Sequence, residues 1–479
     1  MTDTHTLPET SSSHIIETAS RYRPPRSWRT WLIGRPMTTR EAPHQTISKA
    51  VGLAVFGADA LSSIAYAPQE TLVILAAAGP AAFGYAFPIA VVITALLAIV
   101  TISYQQTLQA YPGGGGAYTV ARENLGLLPA QIAGAALLID YILLAAVAIS
   151  SGVAQIVSAL PGLFPHRVLL SLILLGLIML ANLRGVKESG TLFALPTYFF
   201  LGMTILTVGV GFWRYATGGL GVVSDPPALE LTHGLQPVTL FLLLRAFSNG
   251  TTALTGVECI SNGVTAFKEP RSQNASQTML WMSGLLGGLF VSVTFLLGQI
   301  GAVPAETETV ISQLARTVFG DRGFLYLATL TGTTVILILA TNTAFADFPR
   351  LTALIGREGF LPHYFTFRGS RLVFSYGIAA LTLIAGLLII AFNASVTALI
   401  PLWAVGVFLS FTLSQAGMAV HWWRLGRGAS RARGWGWRLA VNGLGALVTT
   451  LVTVVFAVTK FADGAWFILL LLPTVVLVF

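Results

Sequence analysis

Three carboxylates, Asp59, Asp140 and Glu258, stand inside long apolar stretches of this chain. An acidic side chain at mid-bilayer costs at least about 2.5–3.5 kcal/mol on insertion scales, so each is a functional candidate by default. The chemistry open to a carboxylate in that setting is cation binding or proton exchange. Around Asp59 the stretch GADALSSIAYAP, Gly57 to Pro68, adds the oxygen donors Ser62, Ser63 and Tyr66. Before Glu258, the stretch FSNGTTALTG, Phe247 to Gly256, adds Thr255. None of the histidines falls within an apolar stretch, so a proton relay there has only carboxylates to use. Glu258 sits among apolar neighbours, where desolvation favours its protonated form and makes it a proton carrier. The competing reading makes it a structural carboxylate bonded to backbone N–H groups. Asp140, in IDY, reads equally as a helix–helix anchor. Glu70 and Arg245 lie further out on the same two stretches as Asp59 and Glu258. They are expected either to pair and close an outer gate or to snorkel separately.

These side chains need a membrane scaffold to position them. The 479 residues are 54% hydrophobic and 10% charged, with mean hydropathy +0.76; a soluble domain carries about 25% charged residues. About 20 apolar residues span a bilayer as a helix. Twelve candidate spans follow, over roughly 50–78, 85–109, 129–155, 167–183, 190–213, 238–264, 278–300, 323–345, 372–391, 395–420, 439–459 and 464–479. Residues 1–44 form a polar, basic tail with no apolar core near Met1, hence no signal peptide. Its RYRPPRSWRTWLIGR run reads as a solvated tail or as a contact for anionic lipid. The last span reaches Phe479 before crossing the bilayer, which suggests a cytoplasmic C-terminal part outside this sequence.

Lysine and arginine set the orientation. With the N-terminus in the cytoplasm, alternating spans put 21 of them inside and five outside, with Arg245 within a span. The net charge of +8 is therefore topogenic and implies no nucleic-acid partner. The single Cys259 forms no internal disulfide. YPGGGGAY lacks the Gly-Lys-Ser/Thr ending of a phosphate loop. The scattered histidines and lone cysteine make no zinc cluster, so neither an enzyme nor a cofactor is expected.

The polar residues interrupt spans 1 and 6, five spans apart. Paired interruptions of this kind point to an inverted-repeat transporter with its site at the midplane. Unwound backbone is tolerated there because it lines a cavity. A pore or receptor fits twelve spans with paired breaks less well.

GADALSSIAYAP, YPGGGGAYTVARENLG, IDY, ANLRGVKESG, LTGVECISNG and IPLWAVGVFLSFTLSQAGM resemble the amino acid–polyamine–cation (APC) superfamily. Within it they are most similar to the KimA-type potassium importers, relatives of the KUP transporters. The resemblance covers about residues 45–479. It implies an all-α membrane protein with a LeuT-like 5+5 inverted repeat, broken helices 1 and 6, and twelve transmembrane helices. It also implies proton-coupled uptake, a homodimer and a cytoplasmic regulatory domain beyond this chain. By the same resemblance Asp59, Tyr66, Asp140 and Thr255 form the potassium site and Glu258 couples the proton. Two hydroxyl positions after the span-3 acid are Leu144 and Ala148 here, and the span-10 tyrosine is Trp403. Trp403 offers a π face suited to an organic cation. The sequence thus predicts a plasma-membrane proton symporter importing a cation, potassium first, with an amino-acid, amine or polyamine permease as the alternative.

Overall fold

The computed structural model describes residues 46–479 except 115, 185–189, 230–234, 370–372 and 428–433. The basic tail expected over 1–44 lies outside the described residues. Among those residues the fold is all helical, apart from one parallel bridge between Ile47 and Phe267. Among the described residues, eight helices are long and apolar enough to cross a bilayer, and nine if one bent pair counts as a span.

The bent pair is the first span. It comprises α1 (Lys49–Phe56), α2 (Ala58–Ser62) and α3 (Ala67–Ala76), with a 55° bend after α1. Next come α4 (Ala86–Ala110), the short α5 (Ala117–Asn124), α6 (Leu127–Ala159), α7 (Arg167–Leu183) and α8 (Gly190–Ala216). The sixth span breaks into α9 (Leu240–Gly250) and α10 (Cys259–Asn262). The remainder are α11 (Arg271–Ile300), α12 (Val310–Phe319), α13 (Phe324–Arg357), α14 (Ser375–Ala391), α15 (Val396–Arg427), α16 (Trp435–Thr459) and α17 (Trp466–Val478).

Local chemistry sets several of these limits. Ser48, Thr239 and Thr309 are N-caps whose hydroxyls accept from the amides of Val51, Leu242 and Ser312, each satisfying a donor that a helix start leaves open. Gly301 and Gly320 end α11 and α12 in the left-handed conformation, which glycine adopts without steric cost.

Burial sorts the helices. The most apolar stretch of α6 is 89% buried and that of α7 only 11%, so α6 is central and α7 faces outward. α6 packs against α13 and α15, and α2 lies on α13. The two broken spans meet along both halves. α3 packs on α9 at one end. At the other, the Ile47 amide donates to the Ala266 carbonyl (2.8 Å) and the Lys268 amide to the Ile47 carbonyl (3.0 Å). Phe56 and Phe267 stack across the same joint, 5.7 Å between ring centres.

Candidate functional site

The span-1 bend falls just before its expected place, and the span-6 opening falls at the end of its expected stretch. The polar run was expected to interrupt span 1 over Asp59–Ser63. Instead the bend falls at Gly57, where a Cβ would come within 2.5 Å of the Leu53 carbonyl oxygen. Asp59 to Ser62 then form the helical turn α2, and Ser63–Ala65 tighten into a 3₁₀ turn. The serine hydroxyls explain this. Ser62 donates to the Asp59 carbonyl (2.7 Å), and Ser63 to the carbonyls of Ala60 (2.6 Å) and Ala253 (3.1 Å). They hold the coil together and, through Ala253, hold span 1 to span 6.

In span 6 the sequence placed the break over Phe247–Gly256, yet Phe247–Gly250 complete α9. The Thr251 and Thr252 hydroxyls donate to the Ser248 and Asn249 carbonyls, each at 2.7 Å, which carries the coil on as a 3₁₀ turn over Thr251–Leu254. The chain opens only at Thr255, which is extended, and Gly256, at φ +83°. Glycine is the residue that takes such a φ without strain.

The two openings face each other. The Tyr66 hydroxyl lies 3.4 Å from the Thr255 hydroxyl. The Cys259 thiol donates to Asp59 Oδ2 at 3.7 Å. Asp59 Oδ1 is buried without a protein partner, as is Glu258 Oε2. A buried polar atom left in that state costs about 1–3 kcal/mol, more when charged. Asp59, Asp140 and Glu258 are all nearly inaccessible and lie within electrostatic reach of one another. Such a group of carboxylates favours a cation or shared protons over three bare charges.

Asp140 differs from the other two. Its Oδ1 accepts a hydrogen bond from the Trp403 indole N–H, so α6 and α15 are joined at this point. Trp403 is fully buried, with its ring 6.2 Å from that of Tyr66. One oxygen of Asp140 is thereby committed to protein. Leu144 and Ala148, one and two turns along α6, are also buried and bring no oxygen.

Glu70 and Arg245, the expected gate pair, are not joined by an ion pair of 4.0 Å or less. Glu70 Oε1 instead accepts from the Thr397 hydroxyl at 3.0 Å. Arg245 has an interaction of its own. The Glu70 carboxyl is thus bonded to span 10 through Thr397.

A fourth acid escaped the sequence reading. Asp347 on α13 acts electrostatically on Asp59, Asp140 and Glu258 and pairs with Arg350 at 3.7 Å. It lies two residues past the expected end of span 8 and three before Arg350, outside the apolar stretches in which acids were sought. The signal that would have found it is that α13 runs helical to Arg357.

The amino acid permease family model matches residues 46–479. The potassium transporter KimA of Bacillus subtilis is 44% identical over 452 residues, covering 94% of this chain and 72% of that protein. The chain belongs to the amino acid permease family. Two variants of the Eremococcus coleocola manganese transporter share 13% identity over 89% of this chain and 92% of theirs, with a TM-score of 0.42, which is a distant likeness. As a member of the permease family this chain is a multi-pass membrane transporter rather than an enzyme. For a permease, carboxylates and hydroxyls between two opened helices are a suitable lining for a small cation.

Proposed function

We propose that this permease imports potassium, driven by a proton gradient, through alternating access about the two broken spans. One observation carries the reading: Asp59 Oδ1 is buried and unpartnered on the same span as Tyr66, whose hydroxyl lies 3.4 Å from that of Thr255. A dehydrated potassium ion needs several oxygens in place of its water shell. Asp59, Tyr66 and Thr255 are the proposed ligands, with Asp140 contributing its second oxygen. Ser62 and Ser63 serve by shaping the break. Glu258 is the proposed proton carrier, because its carboxyl lies in the same buried group and its Oε2 has no protein partner. The 44% identity to a potassium transporter supports the choice of ion.

The same reading has twelve transmembrane helices in a 5+5 inverted repeat. Alongside the eight or nine long ones it counts the broken sixth span and the shorter apolar helices Ser375–Ala391 and Trp466–Leu477. It places the N-terminus in the cytoplasm, since that arrangement puts 21 of the basic residues inside. It also allows a homodimer in the bilayer. A second reading, an amine or polyamine permease, draws on Trp403, whose ring beside Tyr66 offers a π surface where the potassium pattern has an oxygen.

Rubidium uptake into proteoliposomes with an imposed pH gradient tests both readings. Concentrative rubidium uptake, abolished by Asp59→Asn with the purified protein still monodisperse, is the expected result. Uptake of a labelled polyamine with none of rubidium would overturn potassium in favour of the amine.

A further inference from the structure

A small open pocket lies away from Asp59, at the end of the molecule that the proposed topology makes extracellular. Its polar lining is Gln69 on α3, Ser150 on α6, Arg167 at the start of α7, Glu306 in the loop after α11, and Ser395 and Thr397 at the start of α15. Most of these groups are already engaged. Glu306 accepts from Arg167 Nη1 through Oε2 (2.8 Å) and from the Ser395 hydroxyl through Oε1 (2.6 Å). Gln69 accepts from the Val310 amide at 3.1 Å.

Three buried oxygens on or just beneath this lining have no protein partner: Ser150 Oγ, Glu70 Oε2 and Asn249 Oδ1. Ser150 faces the cavity. Thr397 also faces it and donates to Glu70 Oε1, so this hydroxyl links the cavity lining to the buried carboxylate. Asn249 is held to the same place, its Nδ2 donating to the Glu70 carbonyl at 3.3 Å. Glu70 lies one turn from the span-1 opening, its amide bonded to the Tyr66 carbonyl at 3.0 Å. All three are oxygens, and one belongs to a carboxyl group. That chemistry selects a cation.

We infer that Ser150, Glu70 and Asn249 form a second site for a monovalent cation, a loading site that holds the ion one turn before Asp59. This rests on the reading of the protein as a cation importer. Two charged groups act on Glu70. Glu306 acts on Glu70 as a like charge, and Lys460, buried at the end of α16, as an opposite one. Arg167 holds Glu306 in its ion pair at the cavity wall. A weakly hydrated ion such as potassium can take the unpartnered oxygens of Ser150, Glu70 and Asn249.

Equilibrium binding of radiolabelled rubidium to the full chain in detergent decides the matter. Wild type should bind two ions per chain and Asp59→Asn one. Adding Ser150→Ala to Asp59→Asn should weaken the remaining ion about tenfold, and adding Glu70→Gln should abolish its binding. Ser150→Ala removes one hydroxyl and tests the site even if the Glu70 variant does not fold. If Asp59→Asn binds no rubidium while wild type binds one, the loading site is wrong and the central site stands. If wild type binds none, the cation reading falls and takes the loading site with it. Residual binding untouched by Ser150→Ala and Glu70→Gln places the second ion elsewhere and also overturns the inference.

Discussion

A methyl group added at Gly256 would stand 2.7 Å from Asp59 Oδ2 and 2.7 Å from the Ala60 amide nitrogen. The opening of span 6 therefore rests directly on the carboxylate of span 1. Gly256 has two requirements at once, a left-handed backbone and no side chain. Gly256→Ala meets neither. The backbone strain alone is about 1–3 kcal/mol, and the carboxylate has to move. The expected outcome is a lower melting temperature together with loss of rubidium binding. Rubidium binding at wild-type affinity would show that Asp59 does not need this contact.

The Trp403 indole holds Asp140 Oδ1. Trp403→Phe keeps much of the ring and removes the donor, leaving a buried carboxylate oxygen uncompensated at a cost of about 1–3 kcal/mol or more. A fall in thermal stability is expected. Trp403→Tyr puts a hydroxyl on the same helix position and should tighten potassium binding relative to wild type, measured by rubidium competition. Equal or weaker affinity for potassium in Trp403→Tyr would mean that position 403 does not set ion preference.

Glu258→Gln keeps the shape of the side chain and removes its proton chemistry. Uptake driven by a pH gradient should be lost, while rubidium exchange at equal pH on both sides persists. If the variant still concentrates rubidium with only a pH gradient supplied, the proton travels on another group. Asp140 is then the next candidate, since it belongs to the same buried set of acids.

Asp347 tests whether the fourth acid belongs to the transport path. Its ion pair with Arg350 is 3.7 Å long, and Arg350 is 62% exposed, so loss of that pair alone should cost little stability. Asp347→Asn is expected to slow rubidium uptake severalfold with binding at Asp59 intact. Unaltered uptake would confine Asp347 to a surface role.

Hydrophobicity alone made the membrane helices legible, because only helices and closed barrels satisfy every backbone group in lipid. Hence the seventeen residues of α7, Arg167–Leu183, match the span read from sequence. The acids Asp59, Asp140 and Glu258 were legible for the same reason: a carboxylate in an apolar run stands out by its cost. Tertiary structure decided what each acid touches. Whether Ser62 and Ser63 bind a ligand or stitch the coil depends on which carbonyls come within reach, and those include Ala253, 190 positions from Ser63. The partner of Glu70 proved to be Thr397, 327 positions away, rather than Arg245 on the neighbouring broken span. Asp347 showed the opposite failure, an acid outside the apolar stretches that α13 brings within electrostatic reach of the others. Sequence periodicity fixes how far along a helix a residue lies. Only the packing of helices against one another fixes which side chains meet, and the chemistry of this site lies in those meetings.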